Sequence, residues 1–154
     1  MLDAPGIETL ILANHVEAVN GLLYISGGGW TDHRRPVAPA AAAPAPSHLG
    51  VAVSVVVPWN STNTPHQVQI WIEDGDGQRL NGPVQVTMNT RRPPNIPPGS
   101  EQRVSLALAV NLVFPHSGDY RVKARLGGQE ARSVSFRVHD LPAQGPLPPP
   151  APPT

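Results

Sequence analysis

Apolar residues occupy every second position through Val104, Leu106, Leu108, Val110 and Leu112, with Arg103, Ser105, Ala107, Ala109 and Asn111 between them. A period of two sends alternate side chains to opposite faces of an extended chain, so this run buries one face of a β-strand and wets the other. Short runs of the same kind, rich in β-branched residues and cut by Gly, Pro and Asn turns, extend from Glu8 to Asp140. None reads as a helix. The pattern predicts an all-β domain.

At 154 residues the chain suits one domain that buries about two-thirds of its unfolded surface, so its core needs no covalent staple. With no cysteines, disulfides and thiolate metal sites are excluded, and a reducing compartment is compatible. Eleven basic residues balance eleven acidic ones. This removes the long-range attraction on which nucleic-acid binding relies, so no nucleic-acid role is expected. The segment Met1 to Gly6 carries acid and proline where a signal peptide carries basic residues and an apolar core, and no apolar run approaches the about 20 residues of a membrane span. The expectation is a soluble cytoplasmic protein without a membrane partner. All the basic residues but Lys123 are Arg, beside abundant Ala and Pro, a balance expected of a GC-rich bacterial genome.

Thr9 to Val19 is read as a strand rather than a helix, and Asn20-Gly21 as a two-residue hairpin turn returning through Leu22 to Ser26. Gly27-Gly28-Gly29 and Trp30 end that hairpin. Residues 31–47, with the Ala/Pro segment Ala38 to Pro46, are read as a mobile surface loop insertion. His48 to Val57 is almost wholly apolar, the mark of a central strand covered on both faces. From His66 to Glu73, Val68, Ile70 and Ile72 face inward and Gln67, Gln69 and Trp71 outward, before a turn at Asp74 to Gly77. Val84, Val86 and Met88 mark the next inward face. The proline-rich stretch from Arg91 to Gly99 then crosses from one sheet to another. A last hairpin runs from Asp119 to Leu126 and from Ala131 to Val138. Residues 141–154, mostly proline, are read as a disordered or polyproline tail. The expected core is Val53, Val55, Ile70, Ile72, Val86, Leu106, Leu108, Val122, Phe136 and Val138.

One series of motifs supports a resemblance. It runs Asn14-His15-Val16, Gly27-Gly28-Gly29-Trp30, Val57-Pro58-Trp59-Asn60 with Pro65-His66, the Asp-Gly turn, Arg92-Pro93-Pro94, and Pro97-Pro98-Gly99-Ser100. Over Ile11 to Asp140 this series resembles a family of small uncharacterised bacterial proteins common in actinobacteria. The resemblance implies a compact β-sandwich in a bacterial cytosol and supplies no catalytic residue. Ser117-Gly118-Asp119-Tyr120 also resembles the end of immunoglobulin-like sandwiches, where a Tyr near a strand start anchors the preceding corner. The expected fold is thus an antiparallel immunoglobulin-like β-sandwich of about seven to eight strands over residues 7–140.

Motifs for chemistry are sparse. There is no Gly-x-Ser-x-Gly elbow, Walker loop or dinucleotide fingerprint, and the three consecutive glycines fit a bulge better than a phosphate cradle. The six histidines, His15, His33, His48, His66, His116 and His139, lack metal-ligand spacing, the nearest composite being Asp32 with His33. Asp74 and Asp76 sit in a loop too short for a calcium cage, and Asn60-Ser61-Thr62 matches a glycosylation acceptor but reads as a polar turn. No metal or cofactor is expected.

Two surfaces remain as candidates. Trp59, Asn60 and His66 form a loop at the end of the sandwich that Arg91 and Arg92 should share with Asn20-Gly21, a patch suited to stacking a sugar or anchoring a protein, unless Trp59, like Trp30, simply plugs one open end of the sandwich. Trp30 is expected at the opposite end. Arg121, Lys123, Arg125 and Arg137, with Ser133 and Ser135, form a basic stripe on the last hairpin. The stripe fits either an acidic protein partner or a solvated face neutralised by Glu101, Glu130 and Asp140. The sequence is therefore read as a non-enzymatic protein-binding or assembly module, with an acidic partner or self-association. A carbohydrate-binding or other small-molecule domain using Trp59 is the alternative, and an enzyme the third reading.

Overall fold

A computed structural model describes residues 4–36, 45–80, 82–141 and 150–152. Nine strands follow one another: β1 (Gly6–Val19), β2 (Leu22–Gly28), β3 (Asp32–Pro36), β4 (Ser47–Val57), β5 (Pro65–Asp74), β6 (Val84–Asn89), β7 (Gln102–Leu112), β8 (Gly118–Leu126) and β9 (Arg132–Leu141). They form a four-stranded sheet in the order β2-β1-β4-β7 and a five-stranded sheet in the order β3-β9-β8-β5-β6. Apolar faces of the two sheets share one core, so the fold is a β-sandwich. The chain changes sheet from β2 to β3, from β3 to β4, from β4 to β5, from β6 to β7 and from β7 to β8. By order and pairing, β1, β4 and β7 correspond to strands A, B and E of an immunoglobulin-like sandwich, and β5, β8 and β9 to C, F and G. The proline-rich stretch after β6 makes the expected crossing.

Period-two burial produces this core. Leu49, Val51, Val53, Val55 and Val57 of β4 face Val68, Ile70 and Ile72 of β5 and Tyr120, Val122 and Ala124 of β8. All ten residues expected in the core lie in this cluster, with Val86, Leu106 and Leu108 only partly buried. Tyr120 closes the corner before β8: its hydroxyl donates to the His116 carbonyl, 2.6 Å away.

The β1–β2 hairpin is folded over the sheet from which it arises. β1 pairs with β4 only as far as Ala13 opposite Gly50, and from there to Val19 it pairs with β2 alone. Asn20 and Gly21 turn the ribbon with φ of 51° and 76°, the positive pair that a two-residue hairpin requires. The arm lies across the outer face of β4 and β7. The Ser105 hydroxyl donates to the Gly21 carbonyl at 2.9 Å, and Ala13, Val16 and Ala52 form a second apolar cluster with Ile11, Leu23 and Ala107. Gly50 makes this approach feasible, because a Cβ there would stand 2.9 Å from the Val16 amide nitrogen. The near-continuous apolar run of β4 is thereby explained: the opposite sheet covers one face and the arm covers the other.

One expectation is corrected. Within residues 31–47, Asp32–Pro36 is no loop but a strand, β3, running parallel to β9 from Asp32 opposite Arg137 to Pro36 opposite Leu141. Its charges hid it. Asp32 and Arg34 face solvent, whereas His33 packs between Trp30 and Phe114. Arg35 donates to Asp140 and to the Phe114 carbonyl, each at 2.6 Å. Pro36 closes the strand at a sheet edge, where its missing N–H costs no ladder bond. Most of the Ala/Pro segment and most of the tail lie outside the described residues. No helix among the described residues is long and apolar enough to cross a membrane.

Candidate protein-binding face

The outer face of the five-stranded sheet is built by register. Gln69, Trp71 and Glu73 of β5 stand opposite Arg125, Lys123 and Arg121 of β8. Arg121 and Lys123 are in turn opposite Ser135 and Ser133 of β9, and Asp119 is opposite Arg137. The expected basic stripe, Arg121, Lys123, Arg125 and Arg137, is therefore brought together on one face.

Its members are engaged unequally. Glu73, buried beneath them, accepts from Trp71 Nε1 at 3.0 Å and lies 3.1 Å from Lys123 Nζ and 3.4 Å from Arg121 Nε. Burial raises the Glu73 pKa, but the hydrogen bonds from Trp71 and Lys123, with the charges of Lys123 and Arg121, outweigh it and leave the carboxyl below its usual range. Arg137 is tied to Asp119 at 2.9 Å, and His139 Nε2 to Asp32 at 2.7 Å. Arg125 has another partner. Its guanidinium lies over the Trp71 ring, 5.3 Å from the centroid, and Arg79 covers the same ring at 4.3 Å.

Sequence reasoning missed Trp71 and Arg79 as site residues. Trp71 was visible as an aromatic at an outward position, but there Arg79 and Arg125 cover its ring and it is only 5% exposed. Arg79 lies just past the Asp74 to Gly77 turn and forms a β-bridge back to Glu73, so turn geometry could have found it. Asp74 itself accepts from the Asp76 and Gln78 amides, both at 2.9 Å, and so serves the turn. Among the described residues the face carries six cations, Arg34, Arg79, Arg121, Lys123, Arg125 and Arg137, against three carboxylates, Asp32, Glu73 and Asp119. In a chain of zero formal charge this is a concentrated positive field. At one end a cleft of about 550 Å³ runs between Asp32 and Arg121, with Asp119, Ser135 and Arg137 in its walls.

The Trp59 end is a separate place. Trp59–Ser61 forms a single 3₁₀ turn. As expected, Arg92 joins it: the guanidinium covers the Trp59 ring at 4.3 Å and donates to Thr62 Oγ1 at 2.6 Å and to the Trp59 carbonyl at 2.7 Å. His66 Nε2 reaches the Ser61 carbonyl at 2.7 Å, while Asn60 and Arg91 are exposed. The Asn20-Gly21 turn packs against Ser105, three positions along β7 from Gln102, which stands opposite Val57. One face of the Trp59 indole is thus occupied by the protein itself. Asp32 and His33 also separate, since successive residues of β3 point to opposite faces.

Residues 8–139 match the model of a family of unknown function (DUF6941). No curated protein matches the chain. Among solved structures it is similar to a β-glucosidase from Erythrobacter marinus at 16% identity and a TM-score of 0.40, over 88% of this chain and 15% of that one. The chain spans a small part of that enzyme, and a likeness of this degree carries no argument about function.

Proposed function

The chain belongs to that family, and within it we propose that it is a non-enzymatic binding module that receives an acidic protein segment across the outer face of the five-stranded sheet. One observation carries the reading: Arg79 and Arg125 are stacked on Trp71 and, among the described residues, bonded to no carboxylate. A guanidinium stacked on an aromatic ring keeps its N–H edge free, and that edge matches a carboxylate bidentately. Ordering by the ring also reduces the side-chain entropy that binding must still remove. The surrounding excess of cations steers an acidic segment onto the face. The carbohydrate reading is less well supported, because Arg92 occupies one face of Trp59. A bacterial cytoplasmic setting belongs to the same proposal; the Arg-, Ala- and Pro-rich composition supports the first part, and the cysteine-free sequence is compatible with the second.

Poly-L-glutamate is a direct titrant, followed by Trp fluorescence. The expected result is binding that weakens as salt rises and is lost in Arg79→Glu/Arg125→Glu, with the unfolding midpoint retained and Trp59→Ala binding normally. Absence of binding, or binding indifferent to both salt and the double reversal, overturns the proposal.

A further inference from the structure

We propose that two copies of this chain pair through the free edge of β7. Each sheet ends in two edge strands, and three of the four carry features that resist further pairing. β3 is five residues long, charged, and ends in Pro36. β6 has six residues and follows Pro83. β2 ends in Gly27 and Gly28, the first at φ 62°. β7 has no such protection: it is eleven residues long, contains neither Pro nor Lys, and pairs with β4 on one side only. Among the described residues no main-chain bond reaches its other side.

The flanks of this edge are apolar. On the core side Val104, Leu106, Leu108 and Val110 are only partly buried, and a gap of about 30 Å³ opens beside Leu108, Val110 and Val84. On the other side the arm brings its turn to Ser105, and there Val19, Leu22 and Tyr24 are 45%, 61% and 54% exposed. These three share a face of the ribbon, since Val19 pairs with Leu22 and Glu17 with Tyr24. The edge of β7 thus has partly exposed apolar side chains on its core side and the arm tip, carrying its own exposed apolar residues, close to Ser105 on the other.

The sequence of β7 is complementary to itself. An antiparallel pair that uses all eleven residues has its twofold axis at Ala107. It sets Leu106 opposite Leu108 of the second copy, Val104 opposite Val110, and Ser105 opposite Ala109. Arg103 meets Asn111 of the second copy, and Arg103 is already neutralised by Glu8, whose two carboxylate oxygens it reaches at 2.8 and 2.9 Å. No like charges face each other, which is the electrostatic condition for an isologous seam. The seam is about 37 Å long at about 3.4 Å per residue.

The cysteine-free sequence allows a clean test. In this register Ala107 meets its own equivalent at about 4.5–5.5 Å between Cα atoms, within disulfide reach. Ala109 is displaced from its equivalent by four residues, about 14 Å. Sedimentation equilibrium of the unmodified full chain should show mass rising from 16.3 kDa to twice that value with concentration, and mild oxidation should cross-link Ala107→Cys several-fold faster than Ala109→Cys. A chain that stays at 16.3 kDa up to about 1 mM overturns the proposal. So does a dimer in which Ala107→Cys has no advantage. If the Cys variants fail to fold, the mass of the unmodified chain decides alone. This seam and the acidic-segment face lie on different sheets, so the two proposals fail or stand independently.

Discussion

The Tyr120 hydroxyl donates to the main-chain carbonyl of His116 across 2.6 Å, while its ring is buried against Phe114 and Phe136. This one bond fixes the corner where the chain leaves the four-stranded sheet and starts β8. Tyr120→Phe keeps the ring and leaves the carbonyl without that donor. Its expected cost is about 1–2 kcal/mol in urea unfolding, with binding of poly-L-glutamate unchanged. A cost near zero would mean that water replaces the hydroxyl freely.

Gly50→Ala tests the folded arm. The new methyl would stand 2.9 Å from the Val16 nitrogen and 3.0 Å from Val16 Cγ2, and a main-chain atom cannot move aside as a flexible side-chain end can. The expected loss is about 1–3 kcal/mol, with faster hydrogen exchange at amides of β1 beyond Ala13 and of β2. Unaltered exchange there would show that the arm does not depend on this clearance.

Equal truncations should differ according to burial. Leu12 is 1% exposed, whereas Leu106 is only partly covered at the edge. Leu12→Ala should fall in the upper part of the about 2–5 kcal/mol range and Leu106→Ala near its lower end. A reversed order in chemical denaturation would put the exposed side of the sandwich elsewhere.

Acid should weaken the fold in two stages. Burial pushes the His33 imidazole below its ordinary value of 6.5, and its Nε2 is enclosed without a partner. The unfolded chain therefore takes up that proton first, and stability that is full above about pH 6.5 declines as the pH falls through that value. Glu73 is likewise held below its ordinary 4.5. Its contribution is complete above that value and disappears as the pH drops through the depressed folded-state pKa. Urea midpoints measured from pH 7 to pH 3 should show both stages, with His33→Gln removing the upper and Glu73→Gln flattening the lower. Stability that stays level from pH 7 to pH 5 would refute the role given to His33.

Legibility in the sequence followed the range of the interaction. β5, β7 and β8 were readable because their alternation is local, and the Asn20-Gly21 turn because two residues decide it. β3 was hidden because its partner is β9, far along the chain, and its charged residues imitate a loop. The doubling back of β1 was equally hidden: nothing between Glu8 and Val19 signals it, since the clearance comes from Gly50. On the surface, the stripe Arg121, Lys123, Arg125 and Arg137 followed from alternation alone. The stacking of Arg79 and Arg125 on Trp71 did not, because it depends on how the residues past the Asp74 turn fold back.

The parallel pairing of β3 with β9 determines how the molecule bears tension. Strands running the same way place the start of one and the end of the other at opposite ends of their ladder. A pull entering at Asp32 and leaving at Leu141 therefore loads every rung between the two strands together, in shear, with the Arg35 to Asp140 ion pair bearing part of the load. An antiparallel hairpin pulled at its open end would unzip one rung at a time. By contrast, these five residue pairs would have to slip together rather than one after another.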